Sequence, residues 1–206
     1  MTKTLDPAVA AELTEAVREL ELRSCAEVVL EIRARSGSYA HADARFASLI
    51  AFVALVVLLF SPWPFQAIWV AVDTGLAWVL GLFLARKNDT VRRWMTREHE
   101  RAAQVHTVAS AVFHDRGIAN TVAETGVLVL LSQLERRIEL LADRGVLQAV
   151  PPLEWNQLAA ESRTCRGTPR ELLQVVRRLT PLLERCLPAR EGDVDELGNV
   201  PQFVSD

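Results

Sequence analysis

The amino-acid sequence predicts an α/β fold, a small β-sheet flanked by helices and interrupted by a two-helix transmembrane hairpin. Three observations lead there. Two runs rich in branched aliphatic residues, 26–34 and 125–132, are bounded by Ser or Gly signals in the manner of buried strands. Segments with apolar residues at helical spacing lie around them in the chain. Between the first strand and the next amphipathic helix, residues 46–85 carry a single ionisable group, Asp73.

Asp6-Pro7 opens the first helix, with Asp6 as N-cap and Pro7 at the first helical position, and Val9, Leu13, Val17 and Leu20 form its apolar stripe. The strand 26–34 follows and ends at Ser36-Gly37. Next comes the hairpin. Its first run, 46–60, reaches only ~22 Å at 1.5 Å per residue, so it must borrow a turn from Ala40, Ala42 and Ala44, with Arg45 snorkelling to the interface. The second run, 65–85, reaches ~31 Å, enough for a hydrocarbon core of about 30 Å. Ser61-Pro62-Trp63-Pro64 turns the chain, and Trp63 and Trp69 suit the far headgroup layer.

Both runs are apolar on every face, whereas a core helix in a small soluble domain keeps a polar stripe toward water; lipid is the solvent they fit. Arg33, Arg35 and Arg45 precede the hairpin and Arg86, Lys87, Arg92, Arg93 and Arg97 follow it, against an uncharged turn. This bias predicts an inner-membrane protein with two spans and both flanks in the cytoplasm. Asp73 is costly at the centre of a span, so it is expected to be neutral, paired with Ser48, Thr74 or an oligomer partner, or close to the far interface.

Downstream, Val91, Trp94, Met95, Ala102, Val105, Ala109, Val112 and Phe113 recur at helical spacing up to Gly117, in a helix that continues the second span after a break at Asn88-Asp89. The strand 125–132 and a second, 137–142, are joined by residues 133–136 as a β-hairpin whose end is marked by Asp143-Arg144-Gly145. Pro151-Pro152 opens a helix carrying Trp155, Leu158 and Ala159, and Thr168-Pro169 opens another carrying Leu172, Leu173, Val176, Leu179, Leu182 and Leu183. The organisation is then 1–45, first part of the α/β domain; 46–85, hairpin; 86–190, second part; and 191–206, a polar tail or latch. Because the hairpin enters after one strand and leaves into a helix before the next, anchor and domain are expected to be one folding unit.

Composition narrows the function classes. With 206 residues, half of them apolar, and a net charge of −3, the chain can build a core and has no general basic surface for nucleic acid. Three cysteines at irregular spacing, Cys25, Cys165 and Cys186, predict free thiols in a reducing compartment. The N-terminus lacks the apolar core of a secretory signal.

The phosphate-cradling, dinucleotide and nucleophile-elbow glycine motifs are absent. His99-Glu100 begins like a zinc-protease helix, but the second imidazole one turn on is replaced by Ala103. His99, His106 and His114 can share a helix face and lack further ligands nearby. The sixth residues after the cysteines are Glu31, Glu171 and Gly192, none of them the arginine of a cysteine phosphatase. Asp193-Val194-Asp195 lies in the tail, away from the core strand that a phosphoryl-transfer aspartate pair needs. Asp143, Asp193, Asp195 and Glu196 are oxygen donors for a hard cation if the tail folds back; a solvated acidic tail is the competing reading.

The segment 125–146 resembles the TPM domain family, named from thylakoid-lumenal and other membrane-associated proteins. The Gly-led strand, the Glu-Arg before a second strand and the Ala-Asp-x-Gly turn correspond to Gly126, Glu135-Arg136 and Ala142-Asp143-Arg144-Gly145. Trp155, Arg166-Gly167 and Leu187-Pro188 match later landmarks, and Ala26-Glu27-Val28 resembles the first strand. Where many relatives end in Asn-Glu-Leu-Pro, this chain has Asp195-Glu196-Leu197-Gly198. The resemblance implies a sheet flanked by helices, sometimes with bound Ca²⁺, for which Asp143 and Glu196 are the metal-site candidates that transfer. It also implies roles in the assembly or maintenance of membrane complexes, and a phosphatase activity attributed to plant relatives. The expected function is a membrane-anchored, non-catalytic accessory module whose partners are the lipid bilayer and a membrane protein or a second copy. The alternatives are a phosphatase-like hydrolase at the membrane surface and an oligomeric transport-related protein using Asp73.

Overall fold

The computed structural model describes residues 6–63, 65–121, 123–189 and 202–204. In chain order its elements are α1 (Pro7–Arg23), β1 (Glu27–Arg33), α2 (Ala40–Phe60), α3 (Ala67–Lys87), α4 (Asp89–Met95), α5 (Glu98–Asp115), β2 (Gly126–Ser132), β3 (Arg137–Ala142), α6 (Arg144–Ala149), α7 (Pro152–Ser162), α8 (Pro169–Cys186) and β4 (Gln202–Val204). The protein is α/β, and the chain forms two compact units. One comprises Met1–Ser36 and Ala102–Asp206, the other Gly37–Arg101. The inserted unit is longer than the apolar runs at 46–85, because α4 and the first residues of α5 fall with the hairpin.

The first unit is built on a four-stranded mixed sheet of order β3-β2-β1-β4. β1 pairs parallel with β2, Glu27 opposite Gly126 through Arg33 opposite Ser132, and β2 pairs antiparallel with β3. The central strands read as unbroken apolar runs because both of their faces are covered. On one face Val28, Leu30, Ile32, Val127, Val129 and Leu131 pack under α1, α7 and α8, through Leu13, Val17, Leu158, Leu172, Val176 and Leu179 among others. On the other, Val29, Leu128 and Leu130 pack under Val105, Ala109, Val112 and Phe113 of α5, and under Ile118. Burying each such side chain is worth about 1.5–3 kcal/mol relative to exposure, so the alternation within β1 and β2 fixes which helix lies on which face.

Local signals place the ends. Asp6 accepts from the Ala8 N–H and starts α1. Gly117 stops the chain after α5 in the left-handed region, φ 67°, where a Cβ is strained. Two expectations are corrected here. Asp143-Arg144-Gly145 does not merely end a strand: Asp143 accepts from the Arg144 N–H at 2.7 Å and caps the short helix α6. Gly145 is needed because a Cβ there would meet the Ala123 and Glu124 carbonyl oxygens at 2.7 Å. The segment 191–206 is not only a tail, since Gln202–Val204 adds β4 in parallel to Glu31–Arg33.

In the second unit α2 and α3 are each 21 residues, ~32 Å long at 1.5 Å per residue, so the first helix does extend back to Ala40. They approach most closely at Gly81, where a Cβ would lie 2.9 Å from Ala47 Cα. Trp78 Nε1 donates to Ser48 Oγ at 3.4 Å in the same register. The second apolar helix begins at Ala67 and not 65, and it ends at Lys87. Beyond it the break expected at Asn88-Asp89 is present, and a second break divides the helix expected to run on from Val91. Asn88 leaves helical geometry and caps α4 by accepting from the Thr90 N–H, and Thr96 is extended before α5.

Candidate functional site

Two arrangements stand out, one in each unit. In the second unit it is the surface of the hairpin. Phe52, Val53, Val57, Leu59 and Phe60 of α2 and Ile68, Trp69, Leu76, Val79, Leu80 and Phe83 of α3 are all exposed, Phe60 at 84%. Only 17% and 6% of the most apolar stretch of each helix is buried within the chain. Two helices are therefore long and apolar enough to cross a membrane, and nothing within their own unit covers them.

Asp73 is half-buried on α3 and makes no hydrogen bond or ion pair among the described residues. The partners expected for it are engaged elsewhere: Thr74 Oγ1 donates to the Val70 carbonyl and Ser48 accepts from Trp78. Asp73 lies six residues from the start of α3, ~9 Å along the axis, and four residues, ~6 Å, from its middle, on the turn side of it.

In the first unit, the α5 face of the sheet carries two buried carboxylates in one row, Glu31 and Glu139, each opposite Leu130. Glu31 is fully buried; it accepts from Arg33 Nε at 2.6 Å and Arg116 Nη2 at 3.3 Å. Glu139 accepts from Arg137 Nε at 3.0 Å and Arg163 Nη2 at 3.3 Å, with His106 Nδ1 3.3 Å away. Each carboxylate thus faces two guanidinium groups, the pairing a buried charge requires. Beyond the strand ends, Glu135 accepts from Ser132 Oγ and from the Ser36 N–H at 2.9 Å, and the two serine hydroxyls lie 2.7 Å apart. Ser132 has no exposed surface, so a substrate does not reach it in this conformation.

Of the metal candidates from sequence, Asp143 lies among the described residues. Asp143 caps α6 with Oδ1, while its Oδ2 is buried without a hydrogen-bond partner. Glu196, like Asp193 and Asp195, lies outside the described residues. No group of three or more His, Cys, Asp or Glu side chains suited to a metal occurs among the described residues. The histidines of α5 part company: His106 meets Glu139, while His99 is exposed. All three cysteines are free thiols, as expected. Cys165 lines a cavity of about 170 Å³ with Ile138, Glu171 and Val175, and burial pushes its thiol above the ordinary range. A thiol held protonated at neutral pH is a poor nucleophile.

The buried glutamates were missed by the sequence reading. One signal was present: Glu31 with Arg33, and Arg137 with Glu139, are opposite charges two apart on a strand, which places each pair on one face.

No family model matches the chain, and no curated protein matches it. Among solved structures, the NMR structure of BA42 protein from the psychrophilic bacterium Bizionia argentinensis is similar, with a TM-score of 0.56 at 13% identity, over 99% of this chain and 98% of that one. At that identity the likeness is one of fold, and the chain shares its α/β architecture.

Proposed function

We propose that this chain is a two-span inner-membrane protein whose α/β unit serves on the cytoplasmic side as a non-catalytic accessory module for a membrane protein complex. The observation that carries the reading is the exposed apolar surface along two 21-residue helices, outside the seam where they pack on each other. Left in water, an apolar surface of this extent drives association; in hydrocarbon it is solvated. The cytoplasmic placement rests on the basic residues at both chain ends of the hairpin against the uncharged turn. The TPM-like resemblance belongs to this proposal, as do the accessory role and a second copy or a membrane protein as partner.

The test is topological. In a background lacking the three native cysteines, Ser61→Cys at the turn should react with a membrane-impermeant maleimide from outside intact cells, and Ser36→Cys only after lysis. The chain should also resist carbonate extraction. A chain released by carbonate, or equal labelling of both positions in intact cells, would overturn the reading. Crosslinking in mild detergent should then retain a membrane protein or a second copy, and recovery of the bare monomer would remove the accessory role.

A further inference from the structure

The basic residues at the open end of the hairpin do two different jobs, and the division between them points to a ligand. Asp43, buried at 4% exposure near the start of α2, receives Arg92 Nε and Nη2 on its two carboxylate oxygens, both at 2.9 Å. This bidentate pair fastens α4 to the base of α2 and raises Arg92 above its ordinary value, chiefly through the hydrogen bond to Asp43. Arg101 donates to the carbonyl of Arg93 at 2.8 Å and to that of Thr96, closing the break between α4 and α5. Those arginines are structural.

Arg45, Arg86, Lys87 and Arg97 are different. All four are exposed, and none has a carboxylate within ion-pair distance among the described residues. The close approach of Gly81 to Ala47 sets the register that brings Arg45 to the same end of the hairpin as Arg86 and Lys87. Lys87 folds back so that its Nζ lies 4.3 Å from the centroid of the Phe83 ring, a cation seated over the last apolar turn of α3. On α4, pinned beside them, Trp94 is 72% exposed, an indole of the kind that settles at the headgroup level. Residues 37–101 hold seven Lys and Arg against five Asp and Glu, one of the five being Asp73 inside a span, although the whole chain carries −3. The positive charge is gathered where the apolar surface ends.

We propose that this elbow, Arg45, Arg86, Lys87, Arg97 and Trp94, is a binding surface for the headgroups of anionic phospholipids. Cations unpaired among the described residues, beside an exposed indole at the edge of a lipid-facing surface, complement a phosphodiester at the depth where it is found. The interaction is charge-assisted and lies close to the membrane plane, the geometry in which basic residues select acidic lipids. The inference rests on the membrane-spanning reading of the hairpin.

The experiment uses the full chain purified and reconstituted in phosphatidylcholine vesicles with and without phosphatidylglycerol. Spin-labelled phosphatidylglycerol and phosphatidylcholine report the relative association of each lipid with the protein, a readout indifferent to orientation, and carbonate resistance reports insertion separately. The expected result is a several-fold preference for phosphatidylglycerol that falls with salt. It should drop about twofold for each of Arg86→Gln, Lys87→Gln and Arg97→Gln and vanish when all three are combined. It should persist in Arg97→Lys and in Arg18→Gln, an exposed arginine of the other unit. Equal association of the two lipids with a carbonate-resistant chain would overturn the headgroup site and leave the anchor standing, as would a preference that survives the triple Gln variant. Free glycerol phosphate that abolishes the preference at low concentration would also overturn it, by making the soluble phosphate the ligand. A chain that carbonate strips away would overturn the anchor and this site together.

Discussion

Replacing Glu31 with Gln offers the sharpest test of what holds the sheet. The side chain is fully buried in β1 and accepts from Arg33 and Arg116. The amide keeps the shape but carries one oxygen instead of two, so its NH₂ must face a guanidinium donor in a site without water access. A buried donor left unmatched costs about 1–3 kcal/mol, and breaking a buried charge pair outright about 3–5 kcal/mol. The arginine side chains retain 22% and 32% of their surface and can recover hydration, which moves the expectation to the lower range, ~2 kcal/mol. Amide hydrogen exchange of the β2 segment Gly126–Ser132, measured in detergent with the full chain, should rise about thirtyfold, since each 1.4 kcal/mol is tenfold. Arg116→Met, which removes the longer and more exposed contact, should raise it no more than about fivefold. Exchange in Glu31→Gln within twofold of the parent would refute the idea that the ionic row contributes to holding β1 against β2.

Further outcomes follow from other contacts. At the start of α8, burial works against ionising Glu171, but the N–H groups of Arg166 and Thr168 and the Thr168 hydroxyl outweigh it and hold the carboxyl below its ordinary range. Its contribution is therefore complete above the unfolded value of about 4.3 and is lost as pH falls through the lower folded value. Exchange in the first turn of α8 should rise in that acid window, and Glu171→Gln should flatten the dependence at a cost of about 1 kcal/mol. Cys165, raised by burial, should alkylate with iodoacetamide at neutral pH more slowly than free cysteine, and unfolding should abolish the difference. Gly81→Leu should force α2 and α3 apart, because backbone and not a movable side chain stands 2.9 Å from the new Cβ; a cost of about 1–3 kcal/mol should appear as reduced disulfide crosslinking between Ser48→Cys and Trp78→Cys.

The central strands, the hairpin and the two long C-terminal helices are legible in the sequence because each rests on a run or periodicity of ten or so residues or on a strong cap. Asp6-Pro7 and Thr168-Pro169 place helix starts to the residue. Shorter elements escape for physical reasons. β4 is three residues long, and its pairing with β1 is settled by the sheet edge it meets rather than by its own pattern. α6 opens on Asp143 and Gly145, residues that serve turns and caps equally well, so only the close approach to Ala123 and Glu124 decides between them. The second break, at Thr96, depends on Arg101 reaching back to the carbonyls it satisfies, an interaction no local pattern announces. Glu31 and Glu139 sit in otherwise apolar strands, and their burial depends on arginines at 116 and 163 that no local pattern pairs with them.

The position of β1 at the centre of its sheet bears on how the protein comes to be made. It is the first strand synthesised, yet its neighbours on both sides arrive late: Glu27 waits for Gly126, about a hundred residues later, and Glu31 waits for Gln202 near the other end of the chain. At 5–20 residues per second, the second wait lasts roughly ten to thirty seconds. During that interval both hairpin helices have been made and can enter the bilayer, while a strand with two unfilled edges stays in the aqueous phase. The order of events is then anchor first and sheet last. Any partner or chaperone that meets the nascent chain meets β1 open, which makes the interval of synthesis, rather than the finished fold, the period in which this protein is most exposed to mispairing with another copy of itself.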